Sequence, residues 1–391
     1  MKAVVLGNNG AEINDVPEPQ PKSNEVLVRV HAAALNRADI MMADGMKHGN
    51  LGGKGSILGL EWAGEVCDIG DEVRGIKVGD RVMCSGSGGY AEYAATDWGR
   101  TSFLPEKTMS FMEAATLPIA LQTMHDAIVT NGQFQSGETI LIQGASSGVG
   151  LMGIQLAKYL GARLVIAATR DPGKRAKLKK FGADIVIDPT QPEWSVDVLD
   201  HTEDKGVDLI IDQVSGGIID ENMKAAALQG RIINVGRLGG FRGSFDHDLH
   251  ALKRISYLGV TFRTRSLEEV RQINKKMRTD LWQALEEGRL RLPIDRSFPL
   301  EDVKHAFNIL LTTDIHSADQ ANPVAEIVDI IQIPAFLCRQ SDIISAAVNT
   351  RKTINVKKGQ FMAPWDVKNI VEKVDKENGD KLLLTERGSS F

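Results

Sequence analysis

The chain has 391 residues, of which 42% are hydrophobic and 25% are charged, so it is expected to fold as two or three soluble globular domains. Its formal net charge of −5 argues against a surface that binds nucleic acid or an anionic membrane. Its three cysteines show no disulfide or zinc-site pattern, and neither a signal peptide nor an apolar run of about 20 residues is present, so a cytoplasmic location is expected.

Residues 1 to about 120 are predicted to form a β-rich domain with many turns. Val26, Val28 and Val30 recur at every second position, which is typical of a half-buried strand. Gly-Asp pairs at 70–71 and 79–80 predict turns between short strands.

From about residue 137 the pattern changes to alternating strands and helices. A first strand at Thr139–Gln143 precedes a helix at Leu151–Leu160, and a basic helix at Lys174–Phe181 follows the second strand. The later strands are predicted at Arg163–Ala168, Ile185–Asp188, Val207–Asp212, Arg231–Val235 and Ile255–Phe262. This alternation predicts an α/β fold with a doubly wound parallel sheet.

Beyond residue 265 the chain is predicted to be helical at first. Ser266 and Glu269 have the spacing of a capping box that opens a long helix, which is expected to end before Gly288. A second helix is predicted at Leu300–Leu310. From about Thr312 a separate strand–helix unit is expected, with apolar runs at Ile327–Ile333, Thr353–Val356 and Lys381–Leu384.

A glycine- and serine-rich turn at residues 144–150 joins the first strand of the parallel sheet to its helix. Small residues allow the backbone to approach a pyrophosphate, and the free N–H groups at the helix start bind its charge. The alternative is a tight strand–helix turn without a ligand. The position of this turn favours a dinucleotide site with contacts from Ala145, Ser146, Ser147, Gly148, Val149 and Gly150.

The end of the second strand indicates which nicotinamide cofactor is bound. A basic residue there suits the 2′-phosphate of NADPH, whereas an acidic residue suits the ribose of NADH. Arg170 and Lys174 therefore favour NADPH. Asp171 lies one residue beyond the position at which an acidic side chain would bind the ribose of NADH, so NADH remains the alternative. Alternatively, the basic residues of this helix only form a solvent-exposed face and do not contact a cofactor. Gly236 and Phe262, near the ends of later strands, are further candidate cofactor contacts.

Several segments, taken in order, resemble the quinone oxidoreductase branch of the medium-chain dehydrogenase/reductase family. The resemblance covers residues 1 to about 310 and rests on HAAALNRADIMM, LGLEWAGEV, VGDRV, GGYAEYA, ASSGVG, KKFGAD, GVDLIID and GRIINVG. It implies a GroES-like catalytic domain at residues 1–120 and 265–311, and a Rossmann domain at residues 121–264.

This chain departs from the zinc alcohol dehydrogenases of the same family. Asn36 stands where the first zinc-binding cysteine of those enzymes would be, and Leu60 replaces the histidine beside Glu61. The four-cysteine structural lobe is also missing, so no zinc is expected and Glu61 is interpreted as structural. The resemblance implies that Asn36 and Thr123 line the pocket beside nicotinamide and substrate, with Met41 making that pocket more apolar.

Residues from about 313 to 391 resemble a different enzyme, 3-deoxy-D-manno-octulosonate 8-phosphate synthase, which is a (β/α)₈ barrel. The resemblance rests on the continuous run from TDIHSADQANPVAEIVDIIQIPAFLCRQ to LLLTERGSSF. It implies phosphoenolpyruvate contacts from Gln332, Arg339, Lys357 and Arg387. Because strands on both sides of this fragment are missing, we expect residues 312–391 to form a partial barrel that does not catalyse and that exposes apolar strand residues.

The predicted function is NADPH-dependent, zinc-independent reduction of quinones or enones, with hydride delivered to an activated double bond or a quinone. A homodimer is expected, paired through the apolar edge strand at Ile255–Phe262. Two alternatives stay open. The first is a fusion protein that binds phosphoenolpyruvate, or an artefactual chimera in which residues 312–391 were joined to the reductase. The second is a protein that binds NADPH without catalysis.

Overall fold

The computed structural model describes residues 1–7, 10–43, 45, 47–105, 108–307, 312–325, 328, 330–359, 361–377, 379 and 381–385. The chain divides into two compact units, Met1–Glu301 and Asp302–Phe391. The finer division into catalytic, Rossmann and barrel-like parts stays a prediction. Among the described helices, none is both long and apolar enough to cross a membrane.

The N-terminal unit begins with antiparallel strands. A hairpin is followed by a sheet whose described strands have the order β6-β3-β4-β5-β7. Helix α1 (Arg37–Ala43) connects the third and fourth strands of the chain. Val26 and Val28 are fully buried, as the alternation predicts. The strands are β1 (Lys2–Gly7), β2 (Gly10–Asp15), β3 (Glu25–Ala33), β4 (Glu61–Ile69), β5 (Arg81–Ser85), β6 (Tyr93–Asp97) and β7 (Thr101–Phe103).

Alternating strands and helices then form a second sheet, after α2 (Phe111–Ala115) and α3 (Pro118–His125). The strands are β8 (Thr139–Ile142), β9 (Leu164–Ala168), β10 (Ile185–Ile187), β11 (Val207–Asp212), β12 (Ala226–Asn234) and β13 (Ser256–Gly259). The helices are α4 (Gly148–Tyr159), α5 (Pro172–Leu178), α6 (Trp194–Asp200), α7 (Ile219–Ala225) and α8 (His247–Lys253).

The second sheet is parallel, with the order β10-β9-β8-β11-β12-β13 in the described part of the chain. This confirms the predicted doubly wound fold. The strand order reverses between β8 and β11, and ligands of such sheets bind in the crevice outside the carboxyl ends of these strands. Strand β13 is shorter than predicted, since only Ser256–Gly259 pairs with β12.

Helix α9 (Leu267–Glu286) returns the chain to the N-terminal sheet. The predicted capping box is present: Glu269 N–H donates to Ser266 Oγ at 3.2 Å, and Ser266 N–H donates to Glu269 Oε2 at 2.7 Å. Asn274 Nδ2 donates to Gly99 O at 3.1 Å, and Arg271 pairs with Asp97. These contacts fasten α9 to the turn that follows β6.

The C-terminal unit contains a parallel sheet with the order β14-β15-β16-β17 among the described strands. Ile331, Ile333, Ile354 and Val356 point to one face of this sheet, where they form a buried core with the helices. The strands are β14 (Thr312–Asp314), β15 (Ile330–Ile333), β16 (Thr353–Lys357) and β17 (Leu382–Thr385), and the helices are α10 (Val303–Phe307), α11 (Ala321–Ala325), α12 (Ser341–Asn349) and α13 (Lys368–Lys376). Within the predicted helix Leu300–Leu310, residues Leu300–Asp302 form a 3₁₀ helix that leads into α10, and residues 308–310 lie outside the described part.

Candidate cofactor and substrate site

The glycine-rich turn lies at the carboxyl end of β8, where the fold places a ligand crevice. Ser147 is the N-cap of α4, because its Oγ accepts from Gly150 N–H at 3.0 Å. Ala145 N–H donates to Ala168 O at 3.0 Å and fastens the turn to the end of β9. Helix α4 has 12 residues, and its first N–H groups and positive dipole end favour a phosphate.

The three glycines predicted as cofactor contacts serve different purposes. A Cβ atom at Gly150 would lie 2.6 Å from Gly144 O, and one at Gly236 would lie 2.6 Å from Gln213 O. These two glycines are therefore needed for close backbone packing. Gly148 is exposed, and a Cβ atom there would meet nothing nearer than 3.8 Å. The start of α4 thus leaves open space of the kind that a dinucleotide pyrophosphate requires.

Gln213, which the sequence analysis missed, joins this turn to the end of β11. Ser147 Oγ donates to Gln213 Oε1 at 3.2 Å, and Gln213 Nε2 donates to Gln143 O at 3.0 Å. Val149 is half-buried in the first turn of α4. Hydrogen bonds between neighbouring strand ends give the crevice a fixed wall.

The residues after β9 present positive charge beside the turn. Ser146 Oγ and Thr169 Oγ1 are 2.9 Å apart, and Arg170 is exposed. Asp171 caps α5, since its Oδ1 accepts from Lys174 N–H at 3.1 Å. The Asp171 carboxylate is therefore engaged in capping, which weakens the case for NADH. Lys174 Nζ lies 3.8 Å from Asp171 Oδ2, and its side chain is 60% exposed.

Arginines that the sequence analysis did not select add to this charge. Burial and the charge of Arg170 lower the pKa of Arg37. Burial and the charge of Arg263 likewise lower the pKa of Arg237, the residue after Gly236. Like charges at these positions favour a multiply charged anion. Phe262 lies in a cation–π contact with Arg265, whose guanidinium is 5.8 Å from the ring centre.

The side chain of Asn36 is held by the buried carboxyl group of Glu61. Asn36 Nδ2 donates to Glu61 Oε1 at 2.8 Å, and Ile119 N–H donates to Glu61 Oε2 at 2.8 Å. Glu61 is only 4% exposed, and burial raises its pKa to about 7, with a smaller contribution from the charge of Asp39. Glu61 therefore connects the loop before α1 with the start of α3.

A second buried carboxyl group holds the backbone of Asn36. Asp39 Oδ2 accepts from Asn36 N–H at 2.9 Å and from Tyr90 Oη at 2.7 Å. Asp39 is 0% exposed, and burial raises its pKa to about 6 although these hydrogen bonds lower it. Asp39 therefore holds both the backbone and the side chain of Asn36, and Glu61 holds the side chain as well. Acidic residues within apolar surroundings, such as LGLEWAG around Glu61, were the available signal for this network.

Thr123 lies half-buried on α3, one turn beyond Ile119. Its neighbour Met124 packs against α4, since a Cβ atom at Gly153 would lie 3.0 Å from Met124 Sδ. Helix α3 therefore joins the Glu61–Asn36 pair to the helix that follows the phosphate turn. The assignment of Asn36 and Thr123 to a substrate pocket stays a prediction.

The C-terminal unit brings together two of its four predicted anion-binding residues. Gln332 Nε2 donates to Asp314 Oδ1 at 2.9 Å, and Lys357 Nζ lies 3.5 Å from the same oxygen. Arg339 instead lines a cleft of about 390 Å³ with Cys338, Met362, Asp366, Asn369, Ile370 and Lys373. Arg387 lies outside the described residues.

Hydrogen bonds continue across this sheet as a polar row, formed by Asp314, Gln332, Asn355 and Thr385. Asn355 Nδ2 donates to Gln332 Oε1 at 2.9 Å, and Thr385 Oγ1 donates to Asn355 Oδ1 at 2.8 Å. The row lies on the face opposite the buried isoleucines. A row of polar side chains therefore crosses this face of the sheet, which also carries the exposed Leu383 opposite Asn355.

Comparison with known families gives three matches along the chain. The family described as "Alcohol dehydrogenase GroES-like domain" matches residues 22–106, and that described as "Zinc-binding dehydrogenase" matches residues 148–278. The "DAHP synthetase I family" matches residues 293–391. Within the described residues, no group of three or more His, Cys, Asp or Glu side chains could hold a metal ion.

The relatives divide in the same way. Quinone oxidoreductase of Rattus norvegicus is 32% identical over 299 residues, covering 75% of this chain and 87% of the relative. A phenolphthiocerol/phthiocerol polyketide synthase chain of Mycobacterium tuberculosis is 30% identical over 298 residues, so 76% of this chain spans only 13% of that much longer protein. For 2-dehydro-3-deoxyphosphooctonate aldolase of Citrifermentans bemidjiense, 92 residues are 56% identical, covering 24% of this chain and 34% of the relative.

Solved structures agree with the sequence relatives. The quinone oxidoreductase of Pseudomonas syringae pv. Tomato DC3000 has a TM-score of 0.68 and 28% identity, covering 78% of this chain and 94% of that one. The CurK enoyl reductase has a TM-score of 0.68 and 25% identity with the same coverage. Both sequence-based resemblances are confirmed, the second as a fragment only. The chain belongs to the medium-chain dehydrogenase/reductase family, in its quinone oxidoreductase-like branch, and carries a C-terminal fragment similar to 3-deoxy-D-manno-octulosonate 8-phosphate synthase.

Proposed function

We propose that this oxidoreductase uses NADPH to reduce quinones or carbon–carbon double bonds conjugated to a carbonyl group. The observation that carries this proposal is the fixed amide of Asn36, whose Nδ2 donates to Glu61 Oε1 at 2.8 Å and whose side chain also forms a hydrogen bond that lowers the pKa of Asp39. When bound, the nicotinamide supplies a hydride. The protein must then stabilise negative charge on the oxygen of the reduced substrate, and an amide N–H is suited to that role.

The chain can provide this stabilisation without rearrangement. Glu61 and Asp39 both hold the Asn36 side chain, and Asp39 also fixes its backbone, so the amide keeps one orientation. A donor that is held before the reaction stabilises developing charge more than a mobile one does. Leu60 is buried beside Glu61 and Met41 is half-buried on α1, which adds apolar surface near this donor. Such surroundings favour an apolar ring or acyl chain.

NADPH is preferred in this proposal because positive charge borders the end of β9. Arg170 is exposed there, Arg37 lies near enough for its pKa to be lowered by Arg170, and Lys174 is exposed on α5. A 2′-phosphate would relieve the repulsion between these cations. The proposal includes a cytoplasmic homodimer that needs no metal.

The test is NADPH oxidation by the full chain with a panel of quinones and a panel of enones, with NADH in parallel. We expect faster turnover with NADPH, and Asn36→Ala is expected to lower kcat by about 100-fold, the loss typical of one donor to developing charge. Binding of NADPH without turnover of any acceptor would instead support the non-catalytic alternative. Stoichiometric zinc in elemental analysis would contradict the metal-free part of the proposal.

The alternative of a phosphoenolpyruvate-binding fusion concerns the C-terminal unit alone. Lys357 and Gln332 lie together on its polar face, and the aldolase relative is 56% identical over 92 residues. The matched segment covers only 34% of that relative, so we expect no condensation activity. Phosphate release from phosphoenolpyruvate in the presence of arabinose 5-phosphate would overturn this expectation.

A further inference from the structure

Two arginine side chains follow the last two strands of the second sheet, at the end of that sheet where its ligand crevice lies. Arg237 comes three residues after β12, and Arg263 comes four residues after β13. We propose that these arginines bind an acidic group of the substrate, so that the reductase prefers a quinone or enone that carries a carboxylate. This inference rests on the proposed function and names the substrate class for the same site.

The two arginines leave neighbouring strand ends. Strands β12 and β13 are parallel, with Asn234 opposite Gly259, and Val260 N–H donates to Asn234 O at 2.9 Å. The chain segments that carry Arg237 and Arg263 therefore begin side by side. Burial, and after it the charge of Arg263, lowers the pKa of Arg237, as expected for two neighbouring cations.

Arg263 also contacts the segment that follows helix α1. A Cβ atom at Gly49 would lie 3.0 Å from Arg263 O and 3.2 Å from Arg263 Cβ, so the two segments pack directly against each other. The segment is a turn in which His48 N–H donates to Leu51 O at 2.9 Å and Leu51 N–H donates to His48 O at 3.1 Å. Because Asn36 directly precedes α1, Arg263 lies where the turn after the Asn36 helix meets the sheet.

In the part of the chain that the structure describes, neither arginine forms an ion pair with a carboxylate. Arg237 Nη1 donates to Val235 O at 3.3 Å, and Arg263 Nε donates to Thr261 Oγ1 at 3.2 Å. Arg237 is half-buried and Arg263 is exposed. Two adjacent cations repel each other, and a bound oxyanion relieves that repulsion. Guanidinium groups bind a carboxylate through paired, charge-assisted hydrogen bonds, so this pair is suited to such a group.

Asp212 is the carboxyl group whose charge reaches Arg237, and its oxygens are already engaged. Its Oδ1 accepts from the N–H groups of residues 214 and 215, both at 2.8 Å, and its Oδ2 accepts from Asn222 Nδ2 at 3.2 Å. Tyr257 is the other acidic neighbour, but burial raises its pKa, so its hydroxyl stays protonated and uncharged near neutral pH. The charge of the arginine pair therefore stays available to a ligand.

The spacing of the strands separates this pair from the phosphates of the cofactor. The turn proposed to bind pyrophosphate follows β8, and the order β8-β11-β12-β13 places Arg237 two strands and Arg263 three strands away. Neighbouring strands lie about 4.8 Å apart, so these separations across the sheet are about 10 and 14 Å. The site proposed for the 2′-phosphate is farther away, beside β9 on the other side of β8. A cofactor in this orientation carries its nicotinamide toward β12, so the arginines lie beside the acceptor.

Two enones that differ only in charge test the proposal. The double bond of trans-4-oxopent-2-enoate gains a hydride from NADPH and a proton from solvent, which gives 4-oxopentanoate and NADP⁺. Its methyl ester is neutral and, because an ester withdraws more electron density than a carboxylate, is the more reactive compound without an enzyme. With NADPH and the full wild-type chain, we nevertheless expect kcat/KM to be about 10-fold higher for the acid than for the ester.

Arg237→Gln and Arg263→Gln remove the two cations one at a time. Each is expected to lower kcat/KM for the acid by about 10- to 100-fold, the loss typical of a hydrogen bond between charged groups, and to leave kcat/KM for the ester nearly unchanged. Arg163→Gln is the matched control, because Arg163 is exposed at the opposite end of the same sheet, just before β9. This control should keep the wild-type ratio of acid to ester, and the Kd for NADPH should be unchanged in all three variants.

The possible outcomes separate this proposal from the proposed function. A wild-type chain that reduces the ester as fast as the acid, or arginine variants that keep the wild-type ratio, overturns the proposal and leaves the reductase function intact. A weaker Kd for NADPH with equal losses for acid and ester overturns it as well, because the arginines would then bind the cofactor. For quinones, 1,4-naphthoquinone-2-sulfonate and 1,4-naphthoquinone give the same comparison. Absence of turnover with all four compounds overturns the proposed function too.

Discussion

Gly150→Ala is the substitution whose effect can be worked most directly from the structure. The new Cβ atom would lie 2.6 Å from Gly144 O, 2.7 Å from Ala145 Cα and 2.8 Å from Ala145 C, all of which are backbone atoms. Carbon atoms pack at about 3.5–4.0 Å, so the turn and the start of α4 must separate by roughly 1 Å. Overpacking of this kind typically destabilises by about 1–3 kcal/mol, and a shift of about 1 Å at a binding group can weaken its action 100-fold.

Gly148→Ala is the control, because its Cβ atom would meet only Leu292 Cδ1 at 3.8 Å. Both substitutions lie in α4 and gain the same helix propensity, about 0.5–1 kcal/mol, so their difference isolates the steric effect. Thermal unfolding with and without NADPH measures both stability and cofactor binding. We expect a lower Tm and a smaller NADPH-induced shift for Gly150→Ala, and an unchanged or higher Tm for Gly148→Ala. Equal Tm values for the two variants would refute the packing argument.

Three further predictions concern charge and assembly. Lys174→Ala should weaken binding of NADPH more than that of NADH in fluorescence titrations, and equal weakening would contradict the 2′-phosphate assignment. The full chain should be a dimer in light scattering. Leu258→Lys should yield monomers, since Leu258 is 38% exposed on edge strand β13. A monomeric wild-type chain at micromolar concentration would refute this prediction. Burial alone would raise the pKa of Asp97, but its hydrogen bonds, of which that from Arg271 is the largest, lower the pKa overall. The Asp97 carboxylate therefore stabilises the folded state at any pH above its unfolded pKa of about 3.9. This contribution to stability is lost as the pH falls through the pKa of Asp97 in the folded state. Arg271→Leu should therefore lower stability by about 3–5 kcal/mol near neutral pH in urea unfolding, and by less near pH 3, whereas an equal loss at both would contradict the linkage.

Periodic and local features of this fold could be predicted from the sequence. The Ser266–Glu269 capping box depends on residues three apart, and both of its hydrogen bonds are present. The parallel sheet followed from alternating apolar runs and glycine turns. A local signal was missed at α5, which begins at Pro172 because Asp171 caps it and proline is favoured in the first turn. The predicted start at Lys174 was therefore two residues late.

Contacts between distant segments could not be predicted in the same way. Asn36 and Glu61 are 25 positions apart, and their hydrogen bond requires the loop before α1 to meet β4. The third partner is the backbone N–H of Ile119. Every residue except proline has such a donor, so its hydrogen bond to Glu61 cannot be predicted from the residue type. Periodicity also could not decide which face of the C-terminal sheet is covered. An incomplete barrel was expected to expose apolar strand residues; Leu383 and Leu384 on β17 are exposed, whereas Val328 and Ile331, in the segment singled out for exposure, are buried.

The polar row of the C-terminal sheet also determines how its strands align. Gln332 lies opposite Asn355 in the pairing of β15 with β16, and each side chain is bonded to the next strand. A slip of one residue would turn Asn355 toward the helices and bring Ile354 to the polar face, so it would break the row and the apolar core together. The register of these strands is therefore specified within the fragment, and it does not depend on any barrel strand that lies outside this chain.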